Sequence, residues 1–117
     1  MRTRITIATA LFLGVATIAA RAHAFLDHAS PLVGSTVSTA PHEVSLSFTQ
    51  NLEPSFSTVQ VTGPNGARVD TGKAQVGGNS MRIGLKAAGS GTYHVHWHAL
   101  SVDTHTTQGS FTFRVGP

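Results

Sequence analysis

Seven histidines and no cysteine in 117 residues set the chemistry open to this chain. Without thiolates, any metal it holds must take nitrogen and oxygen ligands. Asp103-Thr104-His105 puts a carboxylate and an imidazole at i and i+2. In an extended chain those side chains point the same way and can converge on one ion. An aspartate that organises a turn beside an exposed histidine would leave the same pattern. His94, His96 and His98 alternate with Tyr93, Val95 and Trp97. On a strand they line one face, neighbouring pairs about 6.5–7 Å apart. Such a row binds zinc or copper, or is simply a solvated sheet face. His23 follows Ala20-Arg21-Ala22. As a first residue it would offer one ion both its α-amine and its ring Nδ1. An α-amine with a reference pKa of about 7.7–8.0 yields its proton to a metal near neutral pH. His28 and His42 have no companions in the sequence and read as surface residues.

Whether His23 is ever a first residue depends on the segment before it. Arg2 and Arg4 open the chain, Ile5 to Ala20 is uncharged and apolar, and small residues follow at Ala20 and Ala22. A basic start, a short apolar run and an A-x-A box make a secretory signal peptide, here residues 1–22. The run is shorter than the roughly 20 residues of a spanning helix. Ala22-His23-Ala24 is an A-x-A box as well, so spacing alone also permits a cut before Phe25, which would discard the histidine.

Removal of residues 1–22 takes away Arg2, Arg4 and Arg21, the whole of the net charge of +3. Five basic and five acidic side chains then remain, and no basic stripe that would suit nucleic acid. Residues 23–117 retain one thioether, Met81, within a core-like alternation, so a soft copper(I) site built of methionines is not on offer. No carboxylate-rich loop suits calcium or magnesium. Amine, imidazole and one carboxylate in a tetragonal arrangement point to copper(II), which also heads the affinity order of the divalent ions.

The elements that position these groups are strands. Apolar residues recur at every second position in Val44–Phe48, Val59–Val61, Met81–Leu85, Tyr93–Trp97 and Phe111–Val115. That period with β-branched and aromatic residues marks strands with one buried face. Gly63-Pro64-Asn65-Gly66, Gly77-Gly78-Asn79 and Gly89-Ser90-Gly91 supply turns between them. A short strand near Ala67–Thr71 and one near His23–Ser30 bring the expected number to about seven. That number suits an all-β, immunoglobulin-like sandwich filling one domain, residues 23–117.

Several ordered segments resemble the CopC family of periplasmic copper-binding proteins. They are His23-Ala24-Phe25-Leu26, Ser30-Pro31, Gly34-Ser35, Ala40-Pro41 and Val44-Ser45-Leu46-Ser47-Phe48. Near the end come Gly91-Thr92-Tyr93-His94-Val95-His96-Trp97, Ser101-Val102-Asp103-Thr104-His105 and Gly109-Ser110-Phe111-Thr112-Phe113. The resemblance spans essentially all of residues 23–117. It implies an immunoglobulin-like or cupredoxin-like Greek-key sandwich without a blue-copper centre. It also implies cleavage before His23 and one copper(II) per chain, held by His23, Asp103 and His105. The role it implies is that of a non-enzymatic carrier or buffer in copper resistance or homeostasis, with an inner-membrane copper transport protein as partner. Two departures stand out. Gln50 replaces a glutamate that many relatives place near the metal, and the methionine-rich copper(I) segment of some relatives is missing. Two other readings are a small copper oxygenase with an N-terminal histidine, and a metal-free interaction module if cleavage falls after Ala24.

Overall fold

The computed structural model describes residues 24–117. It is a sandwich of two four-stranded sheets. The strands are β1 (Leu26–Ser30), β2 (Thr36–Val37), β3 (Glu43–Phe48), β4 (Thr58–Thr62), β5 (Gln75–Gly77), β6 (Ser80–Gly84), β7 (Gly91–Leu100) and β8 (Thr106–Val115). One sheet runs β1-β3-β6-β5 and is antiparallel throughout. The other runs β2-β8-β7-β4, with β2 parallel to β8 and the remaining pairs antiparallel.

The period-two pattern becomes the core directly. Val44, Leu46, Phe48, Met81 and Ile83 point inward from the first sheet, and Val59, Val61, Tyr93, Val95, Trp97, Phe111 and Phe113 from the second. Phe48 meets Trp97 edge-on at 5.0 Å between ring centroids, tying the two sheets together. Tyr93 stacks on Phe113 at 5.1 Å, and its hydroxyl donates to the Gly89 carbonyl at 2.7 Å, so the phenol is buried without an orphaned proton. Gly109 lies opposite Trp97 in the ladder, and a Cβ there would stand 2.6 Å from Trp97 Cζ2. Glycine is therefore what lets the indole lie flat against β8.

Eight strands form where about seven were expected, and the differences have local causes. β2 and β5 are too short to display an alternation. The turn at Gly77-Gly78-Asn79 joins β5 to β6, with Gly78 at φ +57° in the first central position, as a type II′ hairpin requires. Ala67–Thr71 is not a strand. It makes one bridge to each sheet, Thr62 to Arg68 and Asp70 to Leu85, and so closes the side of the sandwich instead of lengthening either sheet. Asp70 anchors that crossing. Its carboxylate is buried and accepts from Arg68 Nε and Nη2, Val61 N–H and Gly72 N–H, all at 2.8 Å. In β1 the register shifts between Leu26 and His28, a bulge that leaves Asp27 and His28 both exposed.

Candidate metal centre

The two longest strands, β7 and β8, pair from Gly91↔Val115 to Leu100↔Thr106. Ser101–His105 is the loop that joins them. A turn forms as Thr104 N–H donates to the Ser101 carbonyl at 2.9 Å, and Ser101 N–H donates to the His105 carbonyl at 3.0 Å. The turn holds Thr104 at φ +74°, the left-handed region that a β-branched residue rarely occupies. Residues kept there cost of order 1–3 kcal/mol and persist only where their surroundings over-determine them. Ser101 is that surrounding structure. It is fully buried, its hydroxyl donates to Asp103 Oδ1, and its Oγ accepts from His105 N–H at 3.3 Å.

Asp103 and His105 do converge, but through this turn and not through the extended backbone on which their i, i+2 spacing is read. His105 Nδ1 lies 3.4 Å from Asp103 Oδ1. Two ligand atoms bound at ~2.0–2.2 Å to one ion, at ordinary interligand angles, stand about 2.8–3.5 Å apart, so this separation already suits a shared metal. The Ser101 hydroxyl, followed by the His105 imidazole, holds the Asp103 carboxyl below its usual range although desolvation opposes them. Asp103 is thus ionised at neutral pH. Both side chains are nearly half exposed, which leaves the pair open to an incoming ion.

Long-range contacts bring the start of the described chain to this loop. Thr107 Oγ1, two residues beyond His105, donates to the Ala24 carbonyl at 2.7 Å. Phe25 N–H donates to Thr49 Oγ1 and Thr49 N–H to the Phe25 carbonyl, both at 2.9 Å. Ala24, fully buried, is clamped between the end of β3 and the start of β8. The next residues after β3 lie along the same loop. Val102 N–H donates to the Asn51 carbonyl at 3.0 Å, and Leu52 bridges to Ser101. Gln50, between Thr49 and Asn51, thus belongs to this end of the sandwich.

His23 lies outside the described residues, as does the segment 1–22. Among the described residues no group of three or more histidine or acidic side chains is placed to hold a metal. Asp103 and His105 form a pair that needs a further donor. His28 and His42 are exposed and belong to other parts of the molecule, on β1 and before β3. Met81 is completely buried in the core, as its alternation predicts. Ser101, Thr107 and Thr49 were not singled out from sequence. The buried serine two residues before the aspartate is a local feature that could have been read; the two threonines act across the fold and leave no local trace.

The family model for the CopC domain matches residues 26–116. The chain is 37% identical over 98 residues to protein YobA of Escherichia coli strain K12, covering 80% of this chain and 79% of that protein. It is 34% identical over 122 residues to copper resistance protein C of Xanthomonas campestris pv. juglandis, covering 94% and 95% respectively. The crystal structure of CopC from Methylosinus trichosporium OB3b superimposes with a TM-score of 0.71 at 30% identity, over 81% of this chain and 95% of that one. The sandwich and the ordered motifs are those of copper resistance proteins, and the chain belongs to the CopC family.

Proposed function

We propose that the chain is exported to the periplasm, cut before His23, and there binds one copper(II) as a carrier or buffer in copper resistance or homeostasis. The ligands are the α-amine and ring nitrogen of His23, the Asp103 carboxylate and the His105 imidazole. One observation carries the reading. The Ala24 carbonyl accepts from Thr107, two residues beyond His105, so the first described residue stands beside the loop that carries Asp103 and His105. Three nitrogens and one oxygen from neutral and singly charged groups form a hard-to-borderline set that favours copper(II) over copper(I).

Export and metal binding are coupled in this arrangement. Before cleavage the nitrogen of His23 is an amide and no ligand; afterwards it is an amine. The folded sandwich supplies the other half of the site in advance, with the carboxylate ionised and the imidazole turned to it. Binding releases the amine proton and ties the beginning of the chain to its last hairpin. The role is to hold and pass on the ion, with an inner-membrane copper transport protein as the receiving partner.

The test compares the protein beginning at His23 with a form carrying one extra residue before it. The extended form should lose tight copper(II) binding in a competition titration. Equal affinity of the two forms would remove the amine from the ligand set and overturn the proposal.

A further inference from the structure

Strand β7 carries a second set of nitrogen donors that the site above does not use. His94, His96 and His98 are all exposed, while Tyr93, Val95 and Trp97 between them are buried. Their neighbours in the sheet are Thr62, Gln60 and Thr58 on β4, and Thr112, Ser110 and Gln108 on β8. All six are hydroxyl or amide side chains. The direct ladder neighbours of the three imidazoles are therefore all uncharged, and the nearest cation along the ladder, Arg114 diagonal to His94, donates to Thr92 Oγ1 at 2.9 Å.

Geometry restricts how they act together. Adjacent rings rise from the strand about 6.5–7 Å apart, and His94 and His98 about 13–14 Å apart. Two adjacent rings that each lean inward by about 2 Å bring their Nε2 atoms to the spacing of two ligands on one ion. His94 and His98 cannot meet without His96. All three rings cannot share one ion, in keeping with the absence of a three-ligand cluster among the described residues. His96 is also the ring with a fixed partner, its Nδ1 standing 2.9 Å from Ser110 Oγ. In the tautomer whose Nδ1–H donates to that hydroxyl, Nε2 keeps its lone pair for a metal. Metal-bound histidines are oriented in this way by a hydrogen bond from the other ring nitrogen.

We propose that the outer face of β7 is a second site for a divalent late transition ion, copper(II) ahead of nickel and zinc. His96 Nε2 is the constant ligand, either His94 or His98 is the second, and water completes the coordination. Because both pairs use His96, the face takes one ion at a time. With two neutral donors and no amine or carboxylate it is weaker than the site at the hairpin loop and fills when copper is in excess. It does not depend on where the chain is cleaved.

The experiment is equilibrium dialysis of copper(II) against the exported protein, without a histidine tag and in a non-coordinating buffer, resolving the first and second equivalents. All three histidines are exposed, so alanine variants fold, as the melting temperature of the copper-free forms verifies. His96→Ala should weaken the second equivalent by about a hundredfold, the chelate advantage lost when only separated single rings remain. His94→Ala and His98→Ala should each weaken it about twofold, the statistical factor for losing one of two overlapping pairs. The double variant Asp103→Ala, His105→Ala should lose the first equivalent and keep the second, so failure of either site is told apart from failure of the other. A second equivalent unchanged in His96→Ala overturns the proposal. So does a variant of His94 or His98 as damaged as His96→Ala.

Discussion

Ser101→Ala is the substitution that separates the turn from the metal. The side chain is fully buried, and its Oγ reaches both the Asp103 carboxylate and the His105 amide. Removing it costs the copper-free fold about 1 kcal/mol, the net worth of an ordinary hydrogen bond, since the His105 amide is only partly buried and water can replace the hydroxyl there. For a domain of this size that lowers the melting temperature by about 4–8 °C. The effect on copper is larger. Partners that orient a ligand are worth about 10–100-fold in metal affinity. At free copper a hundredfold above the native dissociation constant, binding stabilises the native protein by about 2.7 kcal/mol. A tenfold loss of affinity reduces this to about 1.4 kcal/mol, and a hundredfold loss to about 0.4 kcal/mol. The copper-induced rise in melting temperature should therefore fall to between one half and one seventh of its native size. Scanning calorimetry in a copper buffer, with and without the ion, reads both quantities from one sample. A lower copper-free melting temperature with an undiminished copper-induced rise would refute the reasoning, because Ser101 would then support the turn and not the ligands.

Copper(I) should be held poorly, because the chain has no cysteine and Met81 is sealed in the core; competition with a copper(I) chelator under reducing conditions checks this, and strong retention would contradict it. Asp70→Asn should cost about 2–3 kcal/mol at neutral pH, as a buried carboxylate with four donors is replaced by a single neutral acceptor. Burial works to raise the Asp70 carboxyl, but the Arg68 guanidinium and the Val61 and Gly72 amides outweigh it and hold it below its usual range. Its contribution is thus complete above the unfolded value of about 3.9 and lost as pH falls through the lower folded value, so denaturant melts of native and variant should converge in acid and differ fully at pH 7. Gly109→Ala should destabilise by about 1–3 kcal/mol through its clash with Trp97, followed by the fluorescence of the chain's single tryptophan; an unshifted midpoint would show that the indole moves aside freely.

The parts of this molecule that were legible in its sequence are those governed by nearest neighbours along the chain. Alternation marked β3, β4, β6, β7 and β8, because each buries one face and the period of two survives in the letters. Asp103 and His105 were legible as a pair because they lie two residues apart, but the turn at Thr104 that brings them together was not. What the letters did not carry is whatever depends on pieces far apart. Ala67–Thr71 alternates well enough to suggest a strand, yet its backbone is shared between two sheets and its aspartate faces inward to bond Val61, nine residues earlier. Thr49 and Thr107 are unremarkable in sequence, and their role exists only because β3 and β8 end at the same corner of the sandwich.

That corner also determines how copper would come and go under the proposed function. The loop Ser101–His105 is braced from inside the core by Ser101, which bonds both the Asp103 carboxylate and the His105 amide. The beginning of the described chain is held differently, by the Thr107 hydroxyl and by the hydroxyl and amide of Thr49, at the ends of two strands. Local opening of a folded protein starts where few buried contacts resist it, and a terminal segment costs far less to release than a braced hairpin. Under the proposed function, exchange of the ion would proceed by the chain's start lifting from Thr107 while the carboxylate and imidazole stay bound. Weakening that hold with Thr107→Val should speed copper release to a chelator several-fold while changing the equilibrium affinity much less than Ser101→Ala does. Stopped-flow transfer rates set beside dialysis constants distinguish the two effects. If Thr107→Val left the release rate unaltered, the ion would depart from the hairpin side first.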